Sequence, residues 1–257
     1  MVDSAHRTRT AFTSTQYEHP YPDAIENHYW HQARHRILDR TLEGLLEHQP
    51  ASAILDIGCG RGITVAHLRE RGFEAFGCDL GTPKPIHDGV ASFLHLGADV
   101  FSLELAARDR IKIILLLDVL EHLHDPTSFL ERCYERFSQS EYIVATVPAR
   151  MQIWSNFDEY YGHFTRYDHR SFRGLVPPAL FELTHCRYFF HGLYPFARMM
   201  SLMGLERSID VAAPDERTRW IHRAVGRYFD WEAKWSPAVL PGTSLLAVLR
   251  AHPRHGH

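Results

Sequence analysis

Apolar and polar side chains recur along this chain with two periods, one typical of helices and one typical of buried strands. Between residues 27 and 48, apolar side chains return every three or four positions, which predicts an amphipathic helix. From residue 53 to residue 148, short apolar runs alternate with helical stretches. The run that begins at Ile111 is apolar at nearly every position, which is typical of a strand buried on both faces.

The short runs between residues 53 and 148 are predicted as strands: AILDI, EAFGCDL, VASFLHLGAD, IKIILLLDVL and EYIVATVP. Helical stretches separate most of them, and one helix is expected to begin with Asp125 as its N-cap and Pro126 in its first turn. Strands that alternate with helices predict a doubly wound, parallel α/β sheet with helices on both faces.

After Pro148 the pattern changes to a polar segment that is dense in aromatic residues and histidine. The stretch FELTHCRYFFHGLY then resumes strand character. Two helical stretches, 196–205 and 217–235, precede a last predicted strand, GTSLLAVLRA. The pattern therefore predicts a helical insertion before the last strand of the sheet.

This pattern also predicts how the chain is divided. We expect one domain over residues 23–250, with a helical lid at about 196–236. Residues 1–22 are expected to form a disordered polar tail, and residues 251–257 a tail that contains histidine.

Composition and charge indicate which kinds of binding partner and which cellular setting this chain is expected to have. A net charge of −3 over 257 residues shows no basic excess of the kind that binds nucleic acid, so no nucleic-acid partner is expected. No apolar run approaches about 18 residues, so stable membrane insertion is not expected either. The four cysteines form no CxxC pair, which favours a reduced, cytoplasmic setting. A homodimer remains open.

Histidine is frequent, and His31 and His35 have the i, i+4 spacing of a metal-binding pair. No acidic third ligand is evident beside them. We therefore interpret both as histidines of the surface or of a lid, and we predict no metal site.

Three glycines, Gly58, Gly60 and Gly62, follow the first predicted strand at alternate positions. A glycine loop between a strand and a helix lets ligand atoms approach the backbone and directs helix N–H groups at them. A dinucleotide fingerprint would place its third glycine where Ile63 stands. This departure disfavours a nicotinamide-dependent oxidoreductase.

The segment LDIGCGRG resembles the first motif of class I S-adenosylmethionine-dependent methyltransferases. FGCDL, LGADV and LLLDVLEHLHDP are similar to the second, third and fourth motifs of that family, and GHFTRYDHRSFRGLV resembles a segment of its bacterial ubiquinone-biosynthesis-like branch. The resemblance covers roughly residues 24–190 and the last strand. It implies a Rossmann-like, mostly parallel seven-stranded sheet and S-adenosylmethionine as the cofactor.

The resemblance also implies a donor site, whose expected residues are Asp56, Gly58, Cys59, Gly60, Asp79, Leu80, Asp99, Asp118 and Val119. Asp79 ends the second strand, where a carboxylate can accept hydrogen bonds from both hydroxyls of a ribose. Asp56 is expected to order the glycine loop and the amino group of the donor. Asp99 either meets the adenine amine or caps a helix.

His122 and His163 are the candidate bases that would take a proton from the methyl acceptor. Tyr161 and Arg166 are the candidate residues that would bind this acceptor. His122 either accepts a proton or ties a helix start to the backbone. Methyl transfer from a sulfonium needs little covalent help, and only an acceptor such as a phenol gains from a base. We therefore expect O-methylation of a small molecule. N- or C-methylation, or a non-catalytic donor-binding module, are the alternatives.

Overall fold

The computed structural model describes residues 22–46, 52–105, 107–209 and 211–254. All but the last residue of the predicted N-terminal tail, 1–22, therefore lies outside the described residues. Residues 255–257 of the predicted C-terminal tail also lie outside them. The start of that tail is not separate from the domain, because Ala251 still belongs to the last strand and Arg254 stacks on the ring of Tyr134.

Seven strands form one sheet: β1 (Ala53–Ile57), β2 (Glu74–Asp79), β3 (Leu94–Leu96), β4 (Ile111–Leu117), β5 (Tyr142–Pro148), β6 (Phe181–Phe189) and β7 (Ser244–Ala251). The described helices are α1 (Tyr29–Leu46), α2 (Ile63–Glu70), α3 (Pro126–Arg136), α4 (Asn156–Tyr160), α5 (His169–Leu175), α6 (Leu193–Leu202) and α7 (Arg219–Trp235). Short 3-10 turns connect several of them.

The strand order across the sheet is β3-β2-β1-β4-β5-β7-β6. Strands β1 to β5 run parallel, whereas β7 pairs antiparallel with both β5 and β6. The predicted doubly wound, Rossmann-like and mostly parallel seven-stranded sheet is confirmed. The order reverses between β1 and β4, and open α/β sheets bind ligands at the carboxyl ends of strands beside such a reversal.

Both faces of the sheet are covered by apolar cores. In β4, Ile114 and Leu116 belong to the core beneath α3 and α5, whereas Ile113 and Leu115 belong to the core beneath α1, α2 and α7. Successive side chains of a strand point to opposite faces, so a strand covered on both sides must be apolar throughout. This accounts for the uninterrupted apolar run that begins at Ile111.

Some element boundaries differ from the predicted ones. Residues 88–93 form 3-10 turns, so β3 is much shorter than the predicted strand. Helix α6 begins at Leu193, before the predicted start at residue 196, since Pro195 is tolerated in the first turn of a helix. Gly204, with a φ of 64°, follows the end of the helix. The two helices α6 and α7 do lie between β6 and β7, as the insertion predicted, but a lid function stays a prediction.

The prediction that His31 and His35 lie on the surface was wrong, and a place in a lid stays a prediction. Helix α1 packs against both α2 and α7, so its polar side chains are covered as well, and both imidazoles are buried. The ring of His35 stacks on His67 with centroids 4.2 Å apart, and its Nε2 lies 3.3 Å from the hydroxyl of Thr64. Burial lowers the pKa of both histidines well below the ordinary value.

Among the described helices, none combines the length and the apolar content that a bilayer-spanning segment needs. The expected cytoplasmic location and the possible homodimer stay predictions.

Candidate active site

The glycine loop after β1 has a backbone that side chains would strain. Gly58, Gly60 and Gly62 have φ values of 78°, 52° and 79°, in the left-handed region. A Cβ atom on Gly58 would stand 2.7 Å from Cγ2 of Val119, which closes the other side of the loop. The amides of Gly58 and Cys59 both donate to the carbonyl of Cys78. These contacts fix the loop against β2, and they leave no space for a side chain at Gly58.

Asp79, at the end of β2, holds this loop from below. Its Oδ2 accepts from the amide of Gly60 at 2.8 Å, and its Oδ1 accepts from the amide of Gly81 at 2.7 Å. A carboxylate oxygen can accept more than one hydrogen bond, so these two contacts do not prevent Asp79 from accepting from ribose hydroxyls. The next residue, Leu80, is exposed at the same edge.

Asp56 stands at the carboxyl end of β1 and is 3% exposed. Among the described residues, no donor lies within hydrogen-bond distance of its Oδ1. Burial raises the pKa of Asp56 to about 7; the carboxylates of Asp79 and Asp118 add to this rise, and the cation of Arg34 opposes it. A buried polar atom without a partner requires an explanation, and a bound ammonium group supplies one.

Asp118 follows β4 with a φ of 58°, a conformation that is uncommon for a residue with a side chain. Its Oδ2 accepts from the guanidinium of Arg34 at 2.6 Å, and its Oδ1 lies 3.4 Å from the hydroxyl of Thr146. Burial nevertheless raises the pKa of Asp118 above its ordinary value. Arg34 itself is buried and stacks on the ring of Trp30, 4.2 Å from the centroid. No motif in the sequence marks Arg34 as a site residue.

Asp99 lies farther along the same edge of the sheet. Its Oδ1 accepts from the amide of Phe101 at 3.0 Å, and its carbonyl accepts from the amides of Ser102 and Leu103. Asp99 therefore caps a turn at residues 100–102, whereas the alternative expected from the sequence was a helix cap. Contact with an adenine stays a prediction.

A second group of polar side chains gathers after β4. Glu121, His122 and His163 each offer one atom that could bind a metal, and these three atoms lie within 4.8 Å of one another. Glu121 is fully buried, and in the described part of the chain no donor from another residue reaches either of its side-chain oxygens. Burial, with the nearby charge of Asp118, raises the pKa of Glu121 well above its ordinary value. The cluster could hold a cation, and the absence of a metal site stays a prediction.

The two candidate bases have different surroundings. Burial, and then the charge of His163, lowers the pKa of His122 to about 4, and its ring hydrogen-bonds with the backbone of Tyr161 and Gly162. His163 instead directs its Nδ1 at Asp158, 2.8 Å from Oδ1. The two imidazole rings meet edge to face with centroids 4.7 Å apart.

Asp158, on α4, is fully buried and was not identified from the sequence. Its Oδ1 also accepts from Nε of Arg166 at 2.7 Å, while another nitrogen of Arg166 donates to the carbonyl of Ala149. The guanidinium of Arg166 is therefore turned towards the protein interior. Tyr161 is buried as well, with its ring 6.3 Å from that of His163.

A family model described as a methyltransferase domain matches residues 29–193 of this chain. That match covers more than half of the sequence and includes both groups of side chains. The chain belongs to this family, and its domain is of the class I S-adenosylmethionine-dependent methyltransferase type.

Relatives and solved structures are similar over part of this methyltransferase. The ubiquinone biosynthesis O-methyltransferase of Pseudomonas entomophila (strain L48) is 31% identical over 88 residues, which cover 32% of this chain and 38% of that protein. The Photorhabdus laumondii protein of the same name is 24% identical over 148 residues, 51% of this chain and 61% of that protein. The chain therefore spans less than two thirds of the length of these relatives.

The same fold is found in the crystal structure of Burkholderia thailandensis 1,6-didemethyltoxoflavin-N1-methyltransferase with bound 1,6-didemethyltoxoflavin and S-adenosylhomocysteine. The TM-score is 0.53 at 16% identity, and the superposition covers 88% of this chain and 81% of that chain.

The donor edge of this methyltransferase fits S-adenosylmethionine. The Oδ1 of Asp56, which has no hydrogen-bond partner among the described residues, offers an acceptor to an ammonium group. The glycine loop, which carries no side chains at Gly58, Gly60 and Gly62, admits ligand atoms close to its backbone. Asp79 would hold the ribose, as it ends the strand next to β1. These roles of single residues stay predictions.

Proposed function

We propose that this methyltransferase transfers the methyl group to an oxygen atom of a small-molecule acceptor, with His163 as the general base. The observation that carries the proposal is the contact of 2.8 Å between His163 Nδ1 and Asp158 Oδ1. The donor supplies an activated methyl group, so the protein has to bind the acceptor, orient it and take the proton from its hydroxyl. An amine that arrives uncharged needs no such base.

Asp158 is suited to orient an imidazole. Both of its oxygens are occupied: Oδ1 by His163 and Arg166, and Oδ2 by the amide and the hydroxyl of Ser155. Burial alone would raise the pKa of Asp158, but the hydrogen bonds from His163 and Arg166 hold it below the ordinary value. An ionised Asp158 favours the tautomer with the proton on Nδ1 of His163, which leaves Nε2 to accept a proton.

His122 is less suited to take that proton. A general base works best when its pKa is close to the working pH, and burial holds the pKa of His122 at about 4. We assign His122 to positioning Tyr161 and Gly162, and Arg166 to orienting Asp158 rather than to holding an anionic acceptor. Tyr161 is assigned to the acceptor side of the site.

The relatives support oxygen as the methylated atom, because the Pseudomonas entomophila and Photorhabdus laumondii proteins are O-methyltransferases by name. The toxoflavin enzyme, which shares the fold, is an N-methyltransferase by name, so N-methylation is the competing possibility. C-methylation has no comparable support.

The test is transfer of radiolabelled methyl groups from S-adenosylmethionine to a panel of phenols and catechols, with matched primary amines, between pH 6 and 9. We expect incorporation into the hydroxylated probes. His163→Gln should lower kcat by about 100-fold or more, and Asp158→Asn should lower it less, while donor affinity changes little. His122→Gln should keep most of the activity.

The matched control is His124→Gln, since His124 is exposed in the same loop as His122. Incorporation into amines alone would contradict O-methylation. A kcat of His163→Gln equal to that of the native protein at every pH would remove His163 as the base.

A further inference from the structure

The outward face of α7 carries a continuous row of apolar and aromatic side chains. Trp220, Ala224, Tyr228, Trp231 and Trp235 follow one another at intervals of three or four residues, so they lie on one side of the helix. All five are exposed; Trp220 is 69% and Trp235 66% exposed. We call this row the tryptophan strip. Single exposed apolar residues are ordinary, but a row with three tryptophans marks an interaction surface.

The buried face of α7 holds the helix in the orientation that directs the tryptophan strip outward. Phe229 and Ala233 are buried in the core beneath α1. A Cβ atom on Gly226 would stand 3.3 Å from the backbone carbonyl of Tyr29, so the two helices touch closely. Glu232 accepts from the amides at the start of α6 with both oxygens. The helix therefore cannot turn its tryptophans inward without losing these contacts.

Cations line one flank of the tryptophan strip. Arg219, Arg223, Arg227 and Lys234 are all exposed and lie next to the strip on the helical wheel. The acidic side chains of α7 do not balance them there, because Asp230 pairs with Arg40 and Glu232 is buried. The exposed surface of α7 is thus apolar along its middle and positive along one edge.

We propose that the tryptophan strip docks on the surface of an anionic lipid bilayer, with α7 lying parallel to the membrane plane. Tryptophan and tyrosine favour the headgroup region, since each joins an apolar ring to one polar hydrogen-bonding group. Arginine and lysine beside such a row are attracted to anionic headgroups. A helix of this kind rests on a bilayer without spanning it.

Charge favours a bilayer over a second copy of this chain. A copy docked through the same strip would present another row of cations and no exposed acidic row to meet them. Anionic headgroups would neutralise the four cations directly. The proposal concerns the surface formed by α7, and it does not depend on which atom the enzyme methylates.

The test is co-sedimentation of the full chain with sucrose-loaded vesicles of phosphatidylcholine and phosphatidylglycerol at about 70:30, and with vesicles of phosphatidylcholine alone. We expect binding to the anionic vesicles that weakens at least about threefold as salt rises to 0.5 M, because salt screens the flanking cations. Binding to the neutral vesicles should be at least about tenfold weaker.

Two variants separate the contribution of the tryptophan rings to vesicle binding from that of the flanking arginines. Replacing Trp220, Trp231 and Trp235 together by serine should weaken binding at least about tenfold. Arg223→Gln with Arg227→Gln should weaken it less and should reduce the salt dependence. The matched control is Arg170→Gln with Arg173→Gln, two exposed arginines of α5, which packs on the other face of the sheet. This control should bind like the native chain.

Binding of S-adenosylhomocysteine by calorimetry serves as the folding control, since the altered side chains are exposed and lie outside the donor edge. If the serine variant fails to fold, the arginine pair still decides the question. Failure of the native chain to bind anionic vesicles would overturn the proposal, and so would equal binding to both vesicle types. A native dimer that becomes monomeric in the serine variant, with no vesicle binding, would assign the strip to a second copy instead.

Discussion

We expect Asp56→Asn to stabilise the donor-free protein at pH 8 and to weaken donor binding at the same time. The substitution keeps the shape of the side chain and removes its charge. In the folded state the pKa of Asp56 is about 7, against an ordinary value of 3.8, so the native protein holds this proton more tightly than the unfolded chain does. The contribution of this group to the free energy of unfolding therefore falls as pH rises from 4 to 7 and stays low above pH 8.

The size of the effect follows from that difference in pKa. Each pH unit between 3.8 and about 7 corresponds to about 1.4 kcal/mol, so the buried carboxylate destabilises the native state by about 4 kcal/mol at pH 8. An asparagine leaves a buried amide that costs about 1–3 kcal/mol, so the net gain should be about 1–3 kcal/mol. At about 2–4 °C per kcal/mol, Tm should rise by several degrees at pH 8. At pH 5 the carboxyl is already neutral, and Tm should not rise.

Donor binding should change in the opposite direction. Loss of a hydrogen bond between charged groups corresponds to about 1.5–3 kcal/mol, or roughly a 10- to 100-fold weaker affinity at pH 8. With a pKa of about 7, the ionised fraction of Asp56 falls from roughly nine-tenths at pH 8 to roughly one-tenth at pH 6. The native affinity should therefore fall about tenfold between these pH values, and the variant should show a flat dependence.

The assays are scanning calorimetry without donor at pH 5 and 8, and titration calorimetry with S-adenosylhomocysteine at pH 6 and 8. Asp109→Asn is the matched control, since Asp109 is exposed and away from the donor edge. A variant that is less stable than the native protein at pH 8 would refute the reasoning. A variant that keeps the native pH dependence of binding would do the same.

Other contacts give three further expectations. Arg34→Met should lower stability by about 1–2 kcal/mol and weaken donor binding, because it removes the cation beside Asp118, whose side chain is 31% exposed. An unchanged Tm and affinity would separate Arg34 from the site. Gly242→Ala should lower Tm by several degrees, because the added Cβ would stand 2.2 Å from the carbonyl oxygen of Phe189. A native Tm would contradict that contact. EDTA should leave methyl transfer unchanged, because Asp158 orients His163 without a cation. Activity lost with EDTA and restored by Mg²⁺ or Zn²⁺ would make the cluster of Glu121, His122 and His163 a metal centre.

The sequence allowed the central strands and the glycine loop to be placed because their physical requirements are local. An uninterrupted apolar run such as the one at Ile111 is stable as a strand only where both faces of the sheet are covered. Alternate glycines after a strand indicate a backbone that side chains would strain, as the φ values of Gly58 and Gly62 show. β3 was predicted too long, since an apolar stretch does not distinguish strand from 3-10 turns.

The partners of the site residues could not be predicted in the same way. Arg34 meets Asp118 across 84 residues of chain, and only the packing of α1 against the sheet brings them together. Asp158 stands in a segment that reads as a polar loop, and its complete burial depends on Arg166 and His163. Tertiary packing determines which side chains pair with these carboxylates, and the local pattern of apolar and polar residues does not predict that pairing.

The place of β7 in the sheet has a consequence for the order in which the chain can fold during synthesis. β6 has β7 as its neighbour and β5 has β7 on its outer side, so neither edge is paired before residues 244–251 leave the ribosome. A nascent chain that already contains β1 to β6 would leave the two strand edges that β7 later covers unpaired, and it would expose part of both cores. The sheet can therefore be completed only after synthesis has passed residue 251, and α6 and α7 are made before the strand that closes it.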